Sequence, residues 1–434
     1  MMRLGSRCFG MFALCGIQVL WGQLGDPGKE LNQYLSQETG DRLRVTLEFR
    51  TRFEFRAGND FGRAADLENP LFRTRIGVQY DFTDWWRVSA MGQDDRAPEY
   101  GGSAPATARN TIDLQEGYLE FFARRQTGFG ALVGRQMVNL GEGRVIGVPQ
   151  WVNNSRTFDT ARLYYRFPHV RLEVLSLSIV RVRPDDFDRP NLGDRVWGTY
   201  NTFSNVIPKG TLELYLLRHD QNRPGGFTGA GRLRTNSFGG RVAGRLPYAF
   251  AYGAEAIAQT GKTGPLIHRA YAWYASISRQ VDVGRPRDLE LEYKFASGSN
   301  DPLHRDNTYD QLYPANHDKF GHADLFGWRN IRNLRSLETL HLSKAVALNF
   351  MYNDWWLDSA VDGLYAGSGA QIARSADGSA GRHIGNEADL FATFRVAGWT
   401  FGAGFANVFP GEFLKRATPG AATRYLYAFQ SYSF

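Results

Sequence analysis

The sequence predicts an all-β chain: a transmembrane antiparallel β-barrel of about 18 strands, of the outer-membrane type, with short periplasmic turns and long external loops. Three observations carry that expectation. Segments along the whole chain alternate apolar and charged residues with a period of two, and the links between them alternate short and long. After residue 22 no stretch of ~18 apolar residues runs free of charge, which excludes helical spans. A mean hydropathy of −0.39, with 14% aromatics and 48 glycines in 434 residues, suits strands with a single apolar face joined by tight turns.

Residues 1–22 read as an export signal. Arg3 and Arg7 precede an apolar run from Cys8 to Trp21, and Gly22 is small enough for cleavage. Both cysteines, Cys8 and Cys15, fall inside that segment, so the exported chain has no disulfide. Its fold must be held otherwise, and a sheet hydrogen-bonded all the way round is one means. Residues 23–42 are polar without a clear period and read as a periplasmic lead-in, leaving 43–434 for the barrel.

The barrel opens at residues 43–56. Leu43, Val45, Leu47, Phe49, Phe53 and Phe55 alternate with Arg44, Thr46, Glu48, Arg50, Arg52, Glu54 and Arg56. A strict period of two is a strand with one apolar and one charged face. The pattern returns where Ile76, Val78, Tyr80 and Phe82 face away from Arg73, Arg75 and Gln79, and where Leu289, Leu291, Tyr293 and Phe295 alternate with Glu290, Glu292 and Lys294. It recurs in 346–352 and 388–395. Charged faces this dense suit a water-filled lumen and not a small soluble core.

Long links are expected near 57–70, 94–111, 139–157, 181–195, 219–233, 260–267, 298–330, 355–386 and 408–423. Short ones fall near 83–84, 123–128, 168–169, 204–210, 247–248, 282–286, 343–345 and 396–398. That alternation gives about 18 strands with both ends on the short-turn side. Residues 425–434 form an aromatic last strand, which resembles the signal read by barrel-assembly machinery. Trp85-Trp86, Trp355-Trp356 and Phe121-Phe122 fall at strand ends, where aromatic girdles meet the edges of a bilayer.

Only seven of the 51 basic residues are lysine, so arginine, with its planar fork for carboxylates and phosphates, dominates. If apolar residues face lipid, Arg44, Arg50, Arg52, Arg73, Arg75 and Arg87 face the lumen on three successive strands, and Arg135, Arg162, Arg166 and Lys294 join them. Enzymes are excluded by the lack of a Cys nucleophile, a Gly-x-Ser-x-Gly elbow, a phosphate loop or His-Glu-x-x-His. Basic residues that alternate with acids do not make a nucleic-acid stripe. No cofactor is expected, and no known metal-loop spacing occurs in the 298–330 link, which reads as a folded-in plug with Asp310, His317, Asp324 and Arg329 at a constriction. The link at 355–386, rich in Gly, Ala and Ser, reads as a gate.

Two stretches are less generic. The first is Gly134-Arg135-Gln136, followed by Gly141, Arg144, Trp151, Asn153, Arg156, Phe158-Asp159 and Arg162. The second is Ala296-Ser297-Gly298, then Tyr309-Asp310-Gln311-Leu312-Tyr313-Pro314, His317, Gly321, Asp324, Gly327-Trp328 and Asn330. From about residue 40 onward the chain resembles the alginate-export family of outer-membrane porins. That resemblance implies export of an acidic polysaccharide through an Arg-lined lumen closed by inward loops, and it adds Arg144, Arg156 and Asp159 to the lining. The partners expected are an anionic saccharide or small acidic solute, outer-membrane lipid and assembly machinery, and export would add an inner-membrane synthase and a periplasmic scaffold. Two other functions stay open, uptake of small acidic solutes and a structural or adhesive barrel with a plugged lumen.

Overall fold

The structure, a computed structural model, describes residues 26–122, 124–222 and 231–434; the export signal expected at 1–22 lies outside them. The strands are β1 (Leu43–Ala57), β2 (Leu67–Asp81), β3 (Trp86–Arg96), β4 (Asn110–Phe121), β5 (Gly128–Gln136), β6 (Phe158–Arg166) and β7 (Val170–Arg181). Next come β8 (Arg189–Ser204), β9 (Gly210–Gln221), β10 (Leu233–Arg245), β11 (Phe250–Thr263), β12 (Leu266–Val283), β13 (Arg285–Ala296), β14 (Ile331–His341) and β15 (Val346–Leu357). β16 (Gly363–Tyr365) and β17 (Gln371–Arg374) make a separate hairpin before β18 (His383–Val396), β19 (Trp399–Pro410) and β20 (Thr423–Ser433).

Apart from that hairpin, all belong to one 18-stranded antiparallel sheet. It closes where β1 pairs with β20, Thr51 opposite Gln430. Closure leaves no edge and satisfies every strand's backbone from its neighbours, which hydrocarbon demands. The alternation read in β1 and β2 decides which face is which. Ile76 is 56% exposed on the outer wall, whereas Arg75 beside it is 2% exposed and points inward.

Turns at 82–85, 122–127, 167–169, 205–209, 246–249, 342–345 and 397–398 join strands at the periplasmic end, and Gly284 alone joins β12 to β13. The opposite end carries the longer loops, including 97–109, 137–157, 297–330, 358–382 and 411–422. One long link was over-read. The stretch 260–267 is a two-residue turn in which Thr263 lies opposite Leu266. Thr260, Lys262, His268 and Arg269 are strand residues whose polarity, on both faces of the rim, masks the alternation.

The lead-in contains a helix, α1 (Pro27–Thr39), that the sequence did not announce. Asp26 caps it by accepting from the Lys29 amide at 3.3 Å, Pro27 supplies the first turn, and Gly40 ends it at φ 61°. Only Gly28 is buried, so no apolar stripe existed to be seen. The helix is tied to β1 through Asn32, which exchanges two hydrogen bonds with the Val45 backbone at 2.7 and 3.0 Å.

At the periplasmic rim Phe82 stacks on Trp86 at 4.0 Å and Trp85 lies near Phe121, as a girdle requires. Trp355 does not belong to it: it points inward and meets Phe326 edge-on at 4.8 Å. The lumen holds a packed apolar core contributed by loops, with Leu140, Ile146, Tyr309, Phe320, Phe326, Trp328, Leu364 and Phe413 buried together. Trp328 is fully buried and donates its indole N–H to the Phe295 carbonyl at 3.0 Å. Trp328→Ala should loosen this inner core by about 3–5 kcal/mol while sparing the sheet. Loop proteolysis should rise without loss of heat-resistant barrel mobility in gels; unchanged proteolysis would contradict the packing described.

Candidate functional site

The site is the constriction these loops build in the lumen. The 137–157 loop crosses to the β1–β2 wall and is caught by arginines. Arg50 donates to the carbonyls of Gln150 at 3.0 Å, Trp151 at 3.1 Å and Val152 at 3.0 Å. Arg73 donates to Gln150 and Val152, both at 3.0 Å. Arg52 donates to the Trp151 carbonyl, lies 4.1 Å over the Trp151 ring, and pairs with Glu54 at 2.7 Å. Glu48 bridges Arg73 and Arg75. Chemistry decides this pattern: a guanidinium has five N–H donors and no acceptor, so one arginine can hold several carbonyls of an irregular segment that has no ladder partners.

A second loop, 297–330, is stitched to the first. The Gly147 amide donates to Tyr313, and Tyr313 donates to Val145, each at 2.9 Å. Trp151 stacks on His317 at 4.2 Å, and His317 bonds Asp324 at 2.6 Å. Strand residues fix the loop to the wall. His219 on β9 contacts Asp310 at 2.7 Å through Nδ1 and Asp194 at 3.1 Å through Nε2. With a carboxylate at each nitrogen the ring must carry both protons, so it is an imidazolium bridge. Gln259 on β11 exchanges two bonds with the Asp310 backbone at 2.8 and 2.9 Å, and His268 holds Asp306 at 2.9 Å.

On β18 the Glu387 carboxylate accepts from the Ala323 amide at 2.9 Å. Gly321, at φ 89°, permits that approach, because a Cβ there would sit 2.5 Å from Glu387 Oε2. The 358–382 loop, expected as a gate, is packed onto this assembly. Asn330 donates to Ser359 at 3.1 Å and Gly363 at 2.8 Å, while Asp362 accepts from Ser299 at 2.8 Å and from Tyr365 at 2.8 Å.

Across the lumen runs an ion-pair chain. Arg144 pairs with Glu142 at 3.0 Å and with Glu292; Arg241 pairs with Glu142 at 2.8 Å and Glu213 at 2.6 Å. Lys294 pairs with Glu292 at 2.7 Å, and Arg335 binds Glu290. Arg144, Arg335, Lys319, Ser276, Ser278 and Tyr252 line, with Glu142 and Glu290, a cavity of about 450 Å³ on the periplasmic side of the loops.

The structure thus gathers Arg50, Arg52, Arg73 and Arg75 around Gln150 to Val152, with His317 and its partner Asp324 joined to that group through Trp151, while Asp310 is held apart on the β9–β11 wall by His219 and Gln259. Arg44 is on the same face, exposed and nearer the periplasm; Arg87 is bound to Asp81 at 2.7 Å and Arg162 to Glu173 at 2.5 Å. Arg166 lies 3.6 Å from Glu120. Arg156 is a loop brace, donating to the Tyr313 carbonyl at 2.8 Å, and Arg329 lies 4.4 Å over Tyr365. Arg135 and Asp159 stand apart from the lumen group. They pair with each other at 2.9 Å on the outward set of β5 and β6, opposite in face to Leu132, Gln136, Thr160 and Arg162. Sequence reasoning passed over His219, Arg241 and Arg335, and read Glu387 only as part of a charged strand face. Arg241 and Arg335 were open to the period-two argument, since each sits on the charged face of its strand. His219 and Glu387 gain meaning only from a loop that arrives from 91 and 64 residues away.

The profile of the Alginate export family matches residues 41–428. Among solved structures the chain is similar to Pseudomonas aeruginosa OccK11 (OpdR), with 12% identity and a TM-score of 0.61 over 90% of this chain and 96% of that one. It is similar to P. aeruginosa OpdK, solved with vanillate, at 10% identity and TM-score 0.63 over 91% and 99%. P. aeruginosa OccK2 (OpdF), solved with glucuronate, gives 10% and 0.61 over 90% and 98%. Identities this low speak for the fold alone, that of an outer-membrane porin. No curated protein sequence matches the chain. The family profile runs from the threshold of β1 into β20, around the whole 18-stranded barrel, and the chain belongs to the Alginate export family of outer-membrane channels.

Proposed function

We propose that this channel passes an acidic saccharide or uronate-type solute through its arginine-rich lumen. The observation that carries the proposal is the β1–β2 wall, where Arg50, Arg52, Arg73 and Arg75 stand against two bonded carboxylates, Glu48 and Glu54. Their heads are buried and already bonded to a loop, so they act on a solute through their field, which a low-dielectric wall focuses into the lumen. Direct contact falls to the more exposed lumen cations, Arg44 and Arg166.

The family description supports an exported polyanion, the reading we put first. The barrels solved with vanillate and with glucuronate support the other direction, uptake of small acids, and so does the cavity of about 450 Å³, which suits one sugar acid better than a coiled polymer. Export would engage a periplasmic scaffold, for which α1 and the short turns offer a surface; assembly machinery would take up β20.

The test is single-channel current across a planar bilayer under a salt gradient, with mono- and oligo-uronates added in turn. Anion selectivity with block that strengthens with oligomer length supports a polymer path. Block by the monomer alone supports small-acid uptake. Cation selectivity without block refutes an acidic solute, and absence of any conductance leaves a structural barrel.

A further inference from the structure

The lumen accounts for the inward cations; a separate set faces out. On β8 to β12 the external rows of the outer wall carry Arg195, Arg218, Arg234, Lys262 and Arg269, with Arg232 just before β10. Their outward direction follows from alternation, since the neighbours Asp194, Val196, His219, Thr235, Thr263 and His268 are buried inside. Register places them in two rungs. Arg195 lies opposite Asp220, Asp220 opposite Arg234, and Arg234 opposite Lys262. One rung lower, toward the membrane, Trp197 lies opposite Arg218, Arg218 opposite Asn236, Asn236 opposite Thr260, and Thr260 opposite Arg269.

Asp220 is the single acid among the described outward residues of this band, and it is shared by Arg218 at 2.9 Å, Arg232 at 3.6 Å and Arg234 at 3.8 Å. Strand neighbours sit ~4.8 Å apart, so like charges repel across these rungs unless an anion lies among them. At three other places on the outer rim an arginine has an acid beside it: Arg96 has Asp94 at 2.6 Å, Arg135 has Asp159 at 2.9 Å and Arg332 has Asp358 at 2.7 Å.

What lies below the band is independent evidence. Trp197 in the lower rung and Tyr271 one step beneath it are exposed, as aromatics at a membrane interface are. Further down the same strands, Thr199, Leu214, Leu216, Phe238 and Gly240 line an open groove of about 380 Å³ on the outer wall. Gly240 keeps the groove open, having no side chain between Leu214 and the lipid. From Arg234 to Gly240 is ~20 Å along the strand, within the reach of a lipid from its headgroup down its chain.

We propose that this sector binds a phosphorylated glycolipid of the outer leaflet, its phosphates held by the Arg218, Arg234 and Lys262 rungs and one acyl chain laid in the Gly240 groove. Arginine forks suit phosphate oxygens bidentately, and the apolar groove excludes a free anion as the intended occupant. The site is on the lipid side of the wall and does not depend on what the lumen passes.

Native mass spectrometry of the detergent-purified barrel tests it, with bisphosphorylated lipid A, dephosphorylated lipid A and inorganic phosphate as probes. The intact barrel should retain bisphosphorylated lipid A and bind the dephosphorylated form at least tenfold more weakly. The triple variant Arg218→Ala, Arg234→Ala, Lys262→Ala should lose that preference, and Gly240→Phe should weaken acylated lipid while leaving the fold intact. Channel conductance and heat-resistant gel mobility serve as folding controls. Equal binding of the two lipid forms, or an unchanged triple variant, overturns the proposal. Displacement of the lipid by millimolar phosphate would instead mark a free-anion site and overturn it too.

Discussion

Arg50→Ala combined with Arg73→Ala should raise single-channel conductance severalfold and lower anion selectivity at once. The two arginines donate to the carbonyls of Gln150, Trp151 and Val152, and these are bonds to a charged donor, each worth about 1.5–3 kcal/mol when buried. Without them the stretch from Gln150 to Val152 is left with Arg52 on the Trp151 carbonyl and Arg75 on the Gln150 side chain at 3.4 Å, while Asn153 beyond it stays bonded to Phe72, Arg96 and Ala108. The loop should swing toward solvent and widen the path. Two positive charges leave the wall in the same step, and Glu48 retains only Arg75 at 3.4 Å, so the local field shifts toward cations. Lysine replacements separate the effects, because Lys keeps the charge but cannot reach three carbonyls from one planar head. Arg50→Lys with Arg73→Lys should therefore widen the channel while keeping selectivity. A double alanine variant of unchanged conductance would show that the loop is held by other contacts.

What the sequence disclosed and what it hid follow one physical line. Period two is local, so β1, β2 and β13 could be read residue by residue, and the parity of loop lengths led to the barrel and its strand number. Arg50, Arg52, Arg73 and Arg75 were placed correctly on the inner face because each strand needs only its own pattern. The same reasoning failed for Arg135, and the family resemblance failed for its partner Asp159. β5 is short and carries Gly128, Gly130 and Gly134, and Gly134 at φ 128° leaves its face unmarked by size or charge. Loop packing was hidden more deeply. Tyr309, Leu312, Tyr313 and Trp328 form part of the inner core, yet in sequence they sit among polar residues with no period, and their partners are strands and loops far along the chain. The arginines read as a solute lining turned out to be the anchors of a loop for the same reason: one-face patterns tell direction, and only the arrival of Gln150 to Val152 tells what that direction meets.

His219→Ala should release the 297–330 loop at neutral pH and produce flickering, enlarged currents in a barrel that still folds. His219 sits between Asp310 and Asp194, and its removal leaves two largely buried carboxylates without their shared cation, a loss of about 3–5 kcal/mol for a broken buried pair. The pH dependence follows from Asp310. Burial pushes its carboxyl up, but the charge of His219 and its hydrogen bond outweigh burial and hold it well below the ordinary range. A carboxyl lowered on folding stabilises the loop fully above its unfolded value of ~3.9 and loses that contribution as pH falls toward the folded one. The intact channel should accordingly stay quiet through mildly acidic solution and open only under strong acid. In His219→Ala burial acts unopposed by its main counter-charge, so Asp310 takes up a proton at much higher pH and the anchor weakens across the neutral range. Asp310→Asn offers the complementary case: the carboxyl can no longer titrate, so the acid-induced opening should lose its dependence on pH even if the loop is looser throughout. Recordings at stepped pH on all three proteins decide the matter, and identical opening curves would show that the loop's position is set by its apolar core and not by this charge bridge.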